Sequence, residues 1–153
     1  TSGSYLFDGR EVGQFTVDEL AQIRNERVGF VFQAFHLLPR TSAVENVELP
    51  LIYSNRKEFR SLALKALKSV GLENRESHFA SELSGGQQQR VAISRAVVGN
   101  PKLILADELT GNLDSANGLE VMELLSKLNE EGTELVGQLT HGETSMPLTL
   151  RKK

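Results

Sequence analysis

Leu103-Ile104-Leu105-Ala106-Asp107-Glu108 decides the fold. Four apolar residues run straight into two carboxylates, too short a run for a helix and right for a buried strand. Val28-Gly29-Phe30-Val31-Phe32 repeats the plan and ends in Gln33. Its β-branched and aromatic residues predict a strand buried on both faces, as in a parallel sheet. Between the two runs, from Ala34 to about Asn100, the chain turns helical. Phe59, Leu62, Ala63, Ala66, Leu67 and Val70 fall on one helix face, and Gly71 follows as a C-cap. Leu119, Met122, Leu125 and Leu128 form another stripe, ended near Gly132. Upstream, Ser4 to Glu11 reads as a strand pair turning at Asp8-Gly9, and Thr16 with Glu19 predicts a capping box. Strand, helical block, strand, helix is an α/β plan with an inserted helical region.

Composition narrows the function classes. The chain has 153 residues, a net charge of −3, 39% hydrophobic residues and no cysteine. That is too apolar for a disordered segment, and it leaves no disulfide, thiolate metal site or cysteine nucleophile. The mildly acidic balance argues against a nucleic-acid partner. No apolar run reaches the length of a membrane span, and no signal-peptide pattern is present. The sequence starts at Thr1 without a methionine, so the 153 residues are expected to be a piece of something longer.

Three clusters carry chemistry. Ser84-Gly85-Gly86-Gln87 stands before a helical stretch reaching about Val98. A helix start offers free N–H groups and partial positive charge to an anion, and glycines let a phosphate come close. Taken alone, the tripeptide Ser84-Gly85-Gly86 reads first as a serine N-cap with a flexible lead-in. Asp107 and Glu108 sit where a parallel strand ends, the usual place for ligand groups. An Asp there can hold Mg²⁺ and a neighbouring carboxylate can polarise a water; alone, they are equally a solvated strand end. Gln33 also ends a strand and reads as a metal or water ligand, or as a loop hydrogen bond. His141 is a lone histidine after a weak apolar run.

In this order and spacing, Gln33, Leu83-Ser84-Gly85-Gly86-Gln87, Leu103 to Glu108, Asn112-Leu113-Asp114 and Thr140-His141 resemble the ATP-binding cassette (ABC) ATPases, over nearly the whole chain. Phe35-His36-Leu37-Leu38-Pro39 and Val44 to Leu51 look most like the bacterial subgroup that energises lipoprotein release and macrolide export. The resemblance implies a P-loop NTPase (RecA-like) core with an inserted helical subdomain, incomplete at both ends. Residues 1–33 would be a β-subdomain and core strand, 34–100 the helical subdomain, and 101–153 the other core half. It implies ATP and Mg²⁺ as cofactors and a head-to-tail dimer with a second ATPase domain. Ser84, Gly85, Gly86 and Gln87 would hold the γ-phosphate of the partner's ATP, and Asp114 would stand in the D-loop. Asp107 would hold Mg²⁺, Glu108 would activate water, His141 would contact the γ-phosphate, and Gln33 would sense the metal. The segment after Gln33 would dock on a membrane permease, at the inner face of the bacterial plasma membrane.

The departures are as informative. No G-x-x-x-x-G-K-[ST] occurs in these residues; the resemblance places that phosphate loop before Thr1. The chain alone is therefore expected to bind ATP poorly and to keep the signature half-site. It would then be a fragment of an exporter's ATPase subunit or, alternatively, a non-catalytic module serving an intact partner. Leu109 replaces the family's proline. After His141 the family continues with a helix, whereas Gly142 to Lys153 departs from it; a change of reading frame near Glu143 is the expectation that accounts for this tail.

Overall fold

The computed structural model describes residues 6–7, 9–32, 34–54, 56–106, 123, 126, 134–141 and 144–150. Strand β1 (Leu6–Phe7) pairs antiparallel with β2 (Arg10–Glu11), and Gly9 between them adopts φ +79°, a turn conformation open to glycine. Helix α1 (Val17–Glu26) starts with the expected capping box: the Thr16 hydroxyl accepts from Glu19 N–H at 3.2 Å, and the Glu19 carboxylate accepts from Thr16 N–H at 2.8 Å. Glu19 also pairs with Arg10 at 2.8 Å, which fastens the hairpin to the helix.

Strand β3 (Val28–Val31) leads to helix α2 (Ala43–Glu48), capped by Ser42 and Glu45 in the same reciprocal way. A 3-10 turn, Leu49–Tyr53, connects to α3 (Phe59–Ser69). Helix α3 ends in a Schellman motif. Leu72 N–H reaches the Leu67 carbonyl at 2.9 Å, Gly71 N–H reaches Lys68 at 3.1 Å, and Gly71 takes φ +72°. Helix α4 (Gly85–Val97) follows. Val44, Val47, Leu51, Ala63, Leu67, Leu72, Leu83 and Val91 form the core among these helices, with Phe59, Leu62 and Ala66 packed against it. The stripe read from α3 therefore faces inward as expected, and each large member contributes about 1.5–3 kcal/mol of burial.

Strands β4 (Leu103–Ala106), β5 (Glu134–His141) and β6 (Thr144–Leu150) complete a four-stranded sheet in the order β3-β4-β5-β6. The first three are parallel, with Val31 opposite Ala106 and Ala106 opposite Gly137; β6 returns antiparallel, His141 opposite Thr144. Where the family continues with a helix after His141, this chain, read from its sequence as departing there, forms a strand. Pro147 interrupts helical bonding there, and β6 lies at the edge of the sheet, where a residue without N–H is tolerated. The helical stripe around Leu119 to Leu128 lies outside the described residues, apart from Glu123 and Ser126, which are helical.

Contrary to the expectation of burial on both faces, the described residues close over one face of β3 and leave the other partly exposed. Helix α4 packs on Gly29 and Val31 so closely that a Cβ at Gly29 would overlap the Ala96 carbonyl oxygen. On the other face Phe30 and Phe32 stack on each other, ring centroids 6.0 Å apart, and remain 38% and 41% exposed. Phe30, Val28, Leu103 and Leu105 open there into an apolar groove of about 320 Å³ beneath Leu20 and Ile23 of α1.

Two outcomes follow from this packing. Gly29→Ala lowers stability by about 1–3 kcal/mol in urea unfolding. Gly13→Ala, where an added Cβ meets nothing within 4 Å, stays within about 0.5 kcal/mol of the parent. The caps set a pH dependence. The Thr16 N–H, then Arg10, holds Glu19 below the ordinary carboxylate range, and the Ser42 hydroxyl, then its N–H, does so for Glu45. Folding favours the ionised carboxylates, so this stability is present above the unfolded-state pKa and is lost as pH falls through the lower folded-state values. Helicity at 222 nm should fall below about pH 4, and less steeply in a Glu19→Gln, Glu45→Gln variant; equal slopes would refute the capping account.

Candidate functional site

Helix α4 begins where the sequence places its glycine motif. Ser84 is the N-cap, and Gly85 and Gly86 already belong to the first helical turn. The Ser84 hydroxyl accepts from Gln87 N–H at 3.3 Å, while the Gln87 side-chain oxygen accepts from Ser84 N–H at 3.0 Å. This box satisfies the third N–H of the helix, and Gln88 N–H makes the first helical bond, to the Ser84 carbonyl at 2.8 Å. The N–H groups of Gly85 and Gly86 have no acceptor within the helix. Among the described residues no other backbone carbonyl accepts from them.

Helix α2 shows what a closed start looks like. It carries the same serine box, yet its Ala43 and Val44 N–H groups donate to the His78 and Glu76 carbonyls at 2.8 and 3.0 Å. At the α4 start Ser84 and Gly85 are exposed and Gly86 is buried, and no described backbone carbonyl closes it as His78 and Glu76 close α2. A Cβ at Gly85 would meet nothing within 4 Å, so packing does not require this glycine, although glycine in a helix costs about 0.5–1 kcal/mol relative to alanine. Two N–H groups with no acceptor among the described residues, a serine O–H and the helix dipole suit a phosphate group.

At the sheet, β3 and β4 end in register, Val31 opposite Ala106. The chain thus leaves the same sheet edge just before Gln33 and just before Asp107. Gln33, Asp107, Glu108 and Asp114 themselves lie outside the described residues. His141 ends β5, four residues past the row of Ala106 and Gly137, or about 13 Å farther along the strand direction. Among the described residues no three potential metal ligands cluster.

Two side chains that sequence reading passed over organise the chain after position 33. Phe35 and His36 both take positive φ, 55° and 47°, a conformation costing about 1–2 kcal/mol per non-glycine residue. The Arg95 guanidinium of α4 meets them, donating to the Phe35 and His36 carbonyls at 2.7 Å each. Burial lowers the Arg95 pKa from the ordinary arginine value. Asn46, fully buried on α2, holds the next stretch. Its Nδ2 donates to Thr41 Oγ1 at 2.8 Å and to the Ser42 carbonyl at 3.0 Å, and its Oδ1 accepts from Leu38 N–H at 2.7 Å. The readable signal for Asn46 was an amide on the apolar face between Val44 and Val47; for Arg95, whose acceptors are backbone atoms, there was none.

Comparison with known proteins agrees with this geometry. The ABC transporter family profile matches residues 1–111. An uncharacterized ABC transporter ATP-binding protein of Bacillus subtilis, YknY, is 53% identical over 138 residues, spanning 89% of this chain and 60% of the relative. A macrolide export ATP-binding/permease protein, MacB of Chlorobium luteolum, is 54% identical over 140 residues, 91% of this chain and 21% of that one. The chain thus spans 60% of the first relative's length and 21% of the second's. Among solved structures, the ATP-binding cassette MJ0796, a dimer in a post-hydrolysis state bound to ADP and Pi, superimposes with a TM-score of 0.74 at 42% identity, over 99% of this chain and 75% of that one. The glycine-bearing start of α4, the α/β fold and these likenesses converge: the chain belongs to the ABC transporter ATP-binding family, with the P-loop NTPase fold of its cassettes.

Proposed function

We propose that the chain is part of the ATP-hydrolysing subunit of an ABC exporter, acting from the cytoplasmic face of a bacterial inner membrane. The observation that carries this reading is the open start of α4, where no described backbone carbonyl takes up the N–H groups of Gly85 and Gly86 behind a capped Ser84. In a head-to-tail dimer, these groups and the Ser84 O–H would bind the γ-phosphate of ATP held by the partner domain, with Gln87 fixing the cap. Such fixed donors stabilise charge on a transferring phosphoryl group without reorganisation. Asp107 would hold Mg²⁺, which supplies charge neutralisation when bound. Glu108 would accept a proton from the attacking water, His141 and Asp114 would complete the γ-phosphate side, and Gln33 would report on the metal.

A membrane permease is the proposed second partner. Beside the segment that follows Gln33, Phe30, Phe32, His36, Pro50 and Arg95 line a groove of about 300 Å³. His36 meets the Phe32 ring edge-on at 5.2 Å. The MacB names support export as the direction of transport.

The 153 residues contain no phosphate loop, so they should turn over no ATP alone. Mixed with an intact partner cassette, they should supply a signature half-site. Gly85→Ala should then reduce that mixed turnover at least about 100-fold, while raising the chain's own unfolding free energy by up to about 1 kcal/mol. ATP turnover by the chain alone that Glu108→Gln abolishes would overturn the half-site account. Full mixed turnover in the Gly85→Ala variant would sink the phosphate role of α4.

A further inference from the structure

We infer that Arg95 is a positioning residue that couples the signature helix to the chain leaving Gln33, so that α4 and residues 35–48 move as one body. The functional half of this inference rests on the nucleotide reading above; the mechanical half stands on contacts alone.

Arg95 lies three turns into α4, eleven residues after Ser84, or about 16 Å along the helix axis. Its two terminal nitrogens donate to carbonyls of adjacent residues, Phe35 and His36, each at 2.7 Å. Successive carbonyls of an extended chain point in opposite directions. The paired positive φ values of Phe35 and His36 give a local path on which both meet one guanidinium fork. Two charge-assisted bonds in a fixed fork hold such a path where a single point charge would not. Among the described residues no carboxylate lies within ion-pair distance of Arg95, and these two carbonyls are the acceptors its half-buried charge meets there.

The segment is fastened at its other end too. Asn46 ties residues 38–42 to α2, and Val44 and Val47 of α2 share a core with Val91 of α4. The first N–H groups of α2 bind the carbonyls of Glu76 and His78, a few residues ahead of Ser84. The contacts form a closed ring: α4, Arg95, the Phe35–His36 kink, Asn46, α2, the 76–78 stretch, and Ser84 again. A tilt of α4 driven by phosphate at Ser84 cannot leave the kink behind without breaking both guanidinium bonds. Arg95 thereby carries an event at the signature to the segment proposed to face the permease.

Hydrogen exchange on the 153-residue chain tests the mechanical half. In Arg95→Met, amides 35–38 should exchange at least about 10-fold faster while α2 and α4 stay within about two-fold, and Arg95→Lys should recover part of the protection. Unchanged exchange at 35–38, or an equal rise throughout α4, overturns the inference. The functional readout is ATP turnover in the mixture with an intact partner cassette. Arg95→Met should lower kcat about 10-fold with KM for ATP within about two-fold. Faster exchange with unchanged kcat reduces Arg95 to a loop staple and overturns the coupling. A parent mixture without ATP turnover counts against the nucleotide reading instead, and the exchange result then still decides whether α4 and the kink are one body.

Discussion

Nothing but backbone separates strand β3 from helix α4 at Gly29. The missing side chain lets the Ala96 carbonyl approach the strand directly, and this close approach sets how deeply α4 sits on the sheet. Ala96 adjoins Arg95, so the depth at which α4 sits also sets where the guanidinium arrives. The start of α4, the kink after β3 and the common edge of β3 and β4 are thus referred to a single point of closest approach.

The signature serine shows that a structural and a functional reading of a motif need not compete. Ser84 is an N-cap, as the bland reading requires, and its reciprocal bonds with Gln87 consume one acceptor lone pair and one N–H. What remains is the O–H proton and the N–H groups of the two glycines. The cap makes the helix start rigid, and the glycines keep it open. Alanine at Gly85 would serve the helix better, so the residue pays for something other than folding.

Local chemistry was legible in the sequence wherever both partners were close along the chain. Thr16 with Glu19, the α3 stripe and Gly71 all form as read, because a capping box, a helical face and a Schellman turn are decided within about ten residues. The parallel pairing of β3 and β4 was legible from two apolar runs flanking a helical block. What could not be read depends on distant or backbone partners. Phe30 looked buried because its neighbours are apolar, yet the covering of its face is decided elsewhere in the chain. Arg95 looked like any helix-surface cation, because its acceptors are carbonyls some sixty positions away that carry no residue identity. The segment Gly142 to Lys153 was read as departing from the family's helix, but that it returns as strand β6 depends on its pairing with β5, which no local motif announces.

The acceptors chosen by Arg95 have a further consequence. A carbonyl does not titrate, and of the two guanidinium bonds the one to Phe35 is part-buried while the one to His36 lies exposed. The ion pair of Arg10 with Glu19 lies exposed at the surface and weakens both in acid and at high ionic strength. The two bonds that join helix and kink therefore have no acidic acceptor to lose at low pH, whereas the pair that fastens the hairpin to α1 has one.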